Sequence, residues 1–162
     1  TIAANNTVRL SNGAVARVSS ATTTSLTLVL STRPTSVGNL TAIVTTNSKS
    51  SGAAVQVATV VPTVNSATTA QAITGNTVVI TGVGFSSVAA NNTVTFNNGA
   101  VGTVTSATTT SLTVTFSTKP TVAGNLTASV TTNSQSSGTA VQVAVVRPVV
   151  TQSSTSLALG AT

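Results

Sequence analysis

The sequence contains no Asp, Glu, His, Cys, Met, Trp or Tyr. General acid–base and nucleophilic catalysis depend on most of these side chains, which leaves Lys49 and Lys119 as the only residues suited to proton transfer. Calcium sites need carboxylate oxygens, and zinc sites need Cys, His or carboxylate ligands. The composition therefore predicts a protein that is not an enzyme and that binds no metal or other cofactor.

Long apolar runs are missing as well. No segment approaches the ~20 consecutive apolar residues that a membrane-spanning helix needs, so we predict no membrane span. The first residues also lack the basic and apolar regions of a secretory signal peptide. Because there is no cysteine to form disulfides, burial of apolar side chains has to stabilise the fold.

Charge is sparse, since charged residues make up 4% of the chain and all of them are basic. A nucleic-acid-binding protein normally concentrates its basic residues in one stripe, whereas these stand singly along the sequence. We therefore predict no nucleic-acid partner. The six basic residues are Arg9, Arg17, Arg33, Lys49, Lys119 and Arg147.

What the sequence does contain is much Thr, Ser, Ala, Val and Asn, with 40% hydrophobic residues. A disordered chain combines low hydrophobicity with high net charge, which is not the case here. Thr and Val are β-branched and favour extended backbone. The composition predicts packed β-structure.

An internal repeat organises the chain. The hexapeptide Ala-Ala-Asn-Asn-Thr-Val begins at Ala3 and again at Ala89, and the octapeptide Ser-Ala-Thr-Thr-Thr-Ser-Leu-Thr begins at Ser20 and again at Ser106, both 86 residues apart. The offset holds without insertions or deletions. We predict tandem domains in three segments: an incomplete repeat at 1–61 that lacks its N-terminal strands, a complete repeat at 62–147, and a C-terminal strand segment of a further repeat, which is a possible donor strand, at 148–162.

Within one repeat, short alternating segments are separated by turn residues, which is the pattern of a β-sandwich. Leu112 to Phe116 alternates strictly between apolar residues and Thr, and Asn98-Gly99 predicts a tight turn with positive φ. No stretch has a helical period. We predict about seven strands per repeat, including 77–81, 93–96, 101–105, 112–116, 126–130 and 141–145. The predicted core of the complete repeat is Ile80, Phe85, Phe96, Val104, Leu112, Val114, Phe116, Leu126, Val130, Val141 and Val143.

The segment Ile80-Thr81-Gly82-Val83-Gly84-Phe85 resembles the I-T-G-x-G-F element of IPT/TIG immunoglobulin-like domains, and the prolines at the repeat boundaries agree with it. The resemblance covers about 62–147 and, through the repeat, most of 1–61. It implies tandem immunoglobulin-like β-sandwiches and an all-β fold. The near-identical Thr-rich repeats are also similar to long bacterial surface proteins built from such domains, which implies an extracellular or cell-surface location in a bacterium.

Two functions remain open at this point. The first is structural: a fibre, stalk or surface layer formed by head-to-tail self-association, because sheet edges without charged residues are prone to pair with one another. The alternative is an adhesin-type or carbohydrate-binding surface module with a surface polysaccharide as its partner. That function would favour exposed aromatic rings, and the three phenylalanines stand at predicted core positions.

The two ends suggest how self-association could work. The incomplete repeat lacks the strand equivalent to 77–81, which predicts an apolar slot with unpaired backbone groups. We predict that a donor segment of another copy fills the first domain through Leu157 and Leu159. That segment is Thr155, Ser156, Leu157, Ala158, Leu159 and Gly160. The alternative is that the sequence is a section of a longer tandem chain.

Four Asn-x-Thr sequons have the form of glycosylation acceptors. In a sequence this rich in Asn and Thr, such sequons also arise by chance. They are Asn5, Asn39, Asn91 and Asn125.

Overall fold

The computed structural model describes residues 2–150, and almost all of their regular structure is β-strand. Two single-turn 3-10 helices, Ala3–Asn5 and Ala89–Asn91, are the other regular elements of this part of the chain. Six strands precede Pro62: β1 (Asn6–Leu10), β2 (Val15–Ala21), β3 (Leu26–Thr32), β4 (Gly38–Thr46), β5 (Lys49–Ser50) and β6 (Val55–Val60). Nine follow it: β7 (Thr63–Val64), β8 (Ala70–Ala72), β9 (Thr77–Val83), β10 (Asn92–Phe96), β11 (Val101–Ala107), β12 (Ser111–Thr118), β13 (Gly124–Thr132), β14 (Gln135–Ser136) and β15 (Val141–Arg147).

Residues 62–147, here called the second unit, form two sheets. One sheet has the order β10-β13-β15-β8, with the short β14 also paired to β13, and the other has the order β11-β12-β9-β7. All neighbours are antiparallel except β8 and β15, which are parallel. This strand order is that of an immunoglobulin-type sandwich, so the predicted all-β, immunoglobulin-like fold is confirmed. Two short strands that the sequence does not predict, β7 and β8, precede β9.

The core of the second unit lies between these sheets, and the strict alternation predicted for β12 is confirmed. Leu112 and Val114 are fully buried, and Phe116 is buried against the half-buried Phe96 with ring centroids 5.4 Å apart. Phe96, Val104 and Val141 are only partly buried although the sequence predicts them in the core. Each stands near the end of a strand or beside a register shift, where the alternation weakens.

Strand β15 departs from simple alternation. Val143 and the next residue, Ala144, are both buried. The pairing of β13 with β15 shifts register between Leu126 and Thr127, which is the signature of a β-bulge. A bulge inserts one extra residue, so two consecutive side chains of β15 face the same core.

The turn predicted at Asn98-Gly99 has the expected backbone. Asn98 has φ 54° and Gly99 has φ 67°, and the matching Asn12 and Gly13 have φ 54° and 69°. These left-handed values suit Asn and Gly and strain most other residues.

Residues 2–61, here called the first unit, repeat the strand bounds of the second unit 86 positions earlier to within one residue, so that β1 begins at Asn6 and β10 at Asn92. Strands β1, β4, β5 and β6 form one sheet, and β2 and β3 form a two-stranded second sheet. Within the part of the chain that the structure describes, β3 pairs with β2 alone and β6 with β4 alone. The first unit therefore contains no counterpart of β7, β8 or β9 among the described residues.

Side-chain burial differs between the two units in the way that the missing strands predict. Leu40 and Ala42 on β4 are buried, as their matches on β13 are. Leu26 and Leu28 on β3 are half-buried, and Leu30 is 44% exposed, whereas the matching residues of β12 are buried. Val55 and Val57 on β6 are exposed as well. The strands of the first unit are thus formed and paired, but their inner faces are open on one side.

Candidate functional site

The first unit contains an open apolar cleft of about 510 Å³ between its two sheets. We call it the open cleft. Leu26 and Leu28 line one wall, and Ala42, Val44 and Val57 line the other. The cleft is also lined by residues 22–25, Asn6, Val8 and Thr46. Apolar walls of this kind are costly to leave in water and favour an apolar occupant.

The second unit shows what fills the equivalent space. Strand β9 pairs antiparallel with β12, with Leu112 opposite Ile80 and Val114 opposite Val78. Ile80 and Val78 are buried between the two sheets. Since β3 matches β12, the open cleft lies where a strand of the β9 type would pack.

A buried asparagine secures the segment that follows β9. The side-chain oxygen of Asn92 accepts hydrogen bonds from the backbone N–H of Ser86 at 3.0 Å and from the hydroxyl of Thr132 at 2.9 Å. Its amide nitrogen donates to the carbonyl oxygens of Ser86 at 2.8 Å and Val88 at 3.1 Å. Asn92 therefore fixes both backbone groups of one residue at the end of the β9 segment.

Asn6, the equivalent residue of the first unit, makes two of these four hydrogen bonds. Its side-chain oxygen accepts from the hydroxyl of Thr46 at 2.7 Å, and its amide nitrogen donates to the carbonyl of Ile2 at 2.9 Å. These bonds match those of Asn92 to Thr132 and Val88. Neither asparagine is among the predicted site residues, although the repeated Asn-Asn pair at 5–6 and 91–92 was the available signal.

Steric constraints explain why the Ile80–Phe85 segment has glycine at positions 82 and 84. A Cβ on Gly82 would collide with the carbonyl oxygen of Thr63 and with the ring of Phe85. Gly84 has φ 84°, a conformation that other residues adopt only with strain. Gly82 allows β9 to approach β7 closely. The turn at Gly84 precedes Phe85, whose side chain lies in the core and is 4% exposed.

Residues 62–145 match the IPT/TIG domain family. The chain belongs to the IPT/TIG domain family. This match confirms the predicted resemblance, and IPT/TIG domains are non-catalytic immunoglobulin-like modules common in extracellular, cell-surface and signalling proteins. No curated protein and no solved structure matches the chain.

A second cleft, of about 520 Å³, lies where the two units of this IPT/TIG chain meet, and we call it the junction cleft. The first unit contributes Leu28, Leu30, Arg33 and Val60 among other residues. The second unit contributes Val83 and Gly84 among other residues. Val60 matches Val146, which is buried in the complete IPT/TIG sandwich.

The predicted donor residues 155–160 lie outside the described residues. Their repeat register is nevertheless given by the sequence, since the offset of 86 aligns them with residues 69–74. Leu159 therefore matches Ile73, and Leu157 matches Gln71. The donor segment is equivalent to β8 and its flanks, whereas the open cleft matches the place of β9.

The four sequon asparagines are all exposed and fall at two equivalent places. Asn5 and Asn91 end the 3-10 helices, while Asn39 and Asn125 are the second residues of β4 and β13. Their side chains do not meet one another, and glycosylation stays a prediction.

The six basic residues are exposed. Lys119 donates from Nζ to the carbonyl oxygen of Thr74 at 2.8 Å, next to β8. Its match in the first unit is Arg33 at the junction cleft. Across residues 2–150 no helix is both long enough and apolar enough to cross a membrane.

Proposed function

We propose that this protein is a non-catalytic structural repeat protein of the bacterial cell surface or extracellular space, which self-associates head to tail into a fibre, stalk or surface layer. In this proposal, residues 155–160 of one copy dock on the first unit of the next copy. A contact between two different surfaces does not close on itself, so it builds open chains of subunits. The first unit and residues 148–162 would then be parts of further IPT/TIG repeats.

The observation that carries the proposal is the uncovered edge of β6. In the second unit, β15 pairs with β8 in parallel, with Val145 opposite Ala70 and Arg147 opposite Ala72. Strand β6 matches β15, and in residues 2–150 it has no such neighbour. Strand addition at an open edge combines main-chain hydrogen bonds with side-chain pockets, and the donor residues have the register of β8.

The contacts around β8 specify how the donor would dock. The N–H of Ile73 donates to the carbonyl of Arg147 at 2.9 Å, and the side chain of Ile73 packs against the core. By equivalence, the N–H of Leu159 would donate to the carbonyl of Val61, and its side chain would enter the junction cleft. Arg33 would then lie near the carbonyl of Gly160, as Lys119 lies near that of Thr74.

Sedimentation velocity and negative-stain electron microscopy of the full chain over a concentration series test the proposal. We expect elongated assemblies whose length grows with concentration. The substitution Leu159→Gln should abolish them because a polar side chain would enter an apolar cleft. The matched control is Leu157→Gln, which introduces the residue found at position 71 and should leave assembly intact.

A chain that stays monomeric at high concentration would contradict the proposal, and so would equal effects of the two substitutions. Carbohydrate binding gains no support from the aromatic residues. Phe85 and Phe116 are buried, and Phe96 packs against Phe116.

A further inference from the structure

We propose that the two repeats of this chain dock on each other through a specific contact that holds them in one relative orientation. The first unit contributes the loop of residues 33–37 between β3 and β4, here called the docking loop. The second unit contributes Pro62 and Gly84. The partner of the docking loop is thus the following repeat of the same chain, and the inference depends neither on self-association nor on the two clefts.

The connection between the two units is short. Strand β6 ends at Val60 and β7 begins at Thr63, so only Val61 and Pro62 join the two sandwiches. The ring of a proline fixes φ, and the Pro62 side chain is fully buried. A short linker limits the range of orientations, but small interfaces between domains still permit motion. A single orientation therefore needs a contact outside the linker.

Such a contact is present at Gly84. A Cβ at this position would lie 3.3 Å from Cγ1 of Val37 and 3.3 Å from Cα of Pro62, which is closer than carbon atoms normally pack. Val37 is the last residue of the docking loop and is half-buried, whereas Ala123 at the matching position of the second unit is exposed. Because Gly84 has no side chain, Val37 can approach the backbone of the second unit closely.

The docking loop is held in place by the first unit. The backbone N–H of Thr35 donates to the carbonyl oxygen of Asn12 at 2.9 Å, and Thr35 Oγ1 donates to the same oxygen at 3.2 Å. The second unit has the same two bonds, from Thr121 to Asn98, at 3.1 and 3.2 Å. These bonds tie the loop to the Asn-Gly turn, so the position of Val37 is fixed relative to the first unit as a whole.

The turn at Gly84 is held in the same way by the second unit. The N–H of the next residue, Phe85, donates to the carbonyl of Thr109 at 3.2 Å, and the Phe85 ring is buried. The docking contact therefore joins two parts that are each anchored in their own sandwich, and it sets the rotation between the units. In an array of repeats, a constant rotation between neighbours determines the shape of the whole array.

The distance between spin labels in the two units tests the inference, measured by double electron–electron resonance on the full chain. The chain contains no cysteine, so labels attach only where Thr7→Cys and Thr93→Cys introduce one. Both threonines are exposed and stand at matching positions of β1 and β10. An excess of unlabelled chain removes distances between different copies, and sedimentation of the same samples reports self-association separately. We expect one narrow distance distribution.

Protein variants identify the contact that holds the orientation. Val37→Asp should broaden the distribution by at least about twofold, because a charged side chain would lose its water against the backbone of Gly84. The matched control, Ala123→Asp, makes the same change at the equivalent exposed position and should leave the distribution unaltered. Insertion of two glycines between Val61 and Pro62 provides the reference for units that move freely. NMR shifts of β4 and β13 check that both units stay folded in each variant.

A distribution as broad in the unaltered chain as in the glycine insertion would overturn the inference, because the units would then move independently. This comparison decides the question even if Val37→Asp disturbs folding. An unaltered width in a folded Val37→Asp variant would also overturn it, since the linker alone would then hold the orientation.

Discussion

The two units of this chain use nearly the same strands to different effect. Residues 62–147 enclose a core in which Leu112 and Val114 of β12 are fully buried, and residues 2–61 present the matching side chains of β3, Leu26 and Leu28, on an open face. The strand bounds agree to within one residue, and the Asn-Gly turns have nearly the same φ values in both units. The difference teaches that local sequence is sufficient to define these strands and turns, whereas core burial depends on β7, β8 and β9.

The comparison predicts its largest effect at a matched core position. Phe116→Ala should destabilise the second unit by about 3–5 kcal/mol because it leaves a cavity in a packed core. Leu30→Ala, at the matching position, should cost about 1 kcal/mol or less because Leu30 is 44% exposed. Urea titration followed by NMR signals from each unit measures both costs. Similar costs would mean that the first unit has a closed core.

A smaller effect is expected at the buried asparagines. Asn92→Ala should cost about 2–3 kcal/mol because it removes four hydrogen bonds and leaves the buried Thr132 hydroxyl without its acceptor. Asn6→Ala should cost about 1 kcal/mol, since Asn6 makes two of these bonds. The same titration compares the two variants. A larger cost for Asn6 would contradict the equivalence of the two residues.

The smallest difference is expected at the Asn-Gly turns. Gly99→Ala and Gly13→Ala should each cost about 1–2 kcal/mol because both glycines have left-handed φ values of 67° and 69°. The two costs should agree within about 0.5 kcal/mol, since the turn needs none of the strands that distinguish the units. Thermal unfolding of both variants checks this. Clearly unequal costs would show that the turns depend on the missing strands.

Much of the fold could be predicted from local pattern. The strict alternation in β12 and the Asn-Gly turns depend only on residues that are neighbours in the sequence. The all-β class, the six main strands of the second unit and most of its core could therefore be predicted. The short strands β7 and β8 did not, because two or three residues carry too little periodicity. The bulge that buries Ala144 depends on the register of a partner strand, which local alternation does not contain.

The candidate site could be predicted only in outline. The missing counterpart of β9 indicated an apolar slot, and the structure contains a cleft at that place. The role of Asn92 was not visible, because its partners Ser86 and Thr132 meet only through the fold. The docking position of residues 155–160 stays a prediction.

Amide hydrogen exchange tests the central claim most directly, namely that the first unit is the same sandwich with an open β3 edge. In the second unit the N–H of Phe116 donates to the carbonyl of Asn76 at 2.9 Å, just before β9. Leu30 occupies the same place in β3. We predict that at concentrations below assembly the amide of Leu30 exchanges at close to the rate of an unstructured peptide, while that of Phe116 exchanges only when the second unit unfolds. The amide of Val44, which donates to Ser51 Oγ at 3.1 Å, should stay protected as the control within the first unit. Strong protection of Leu30, equal to that of Phe116, would contradict the account.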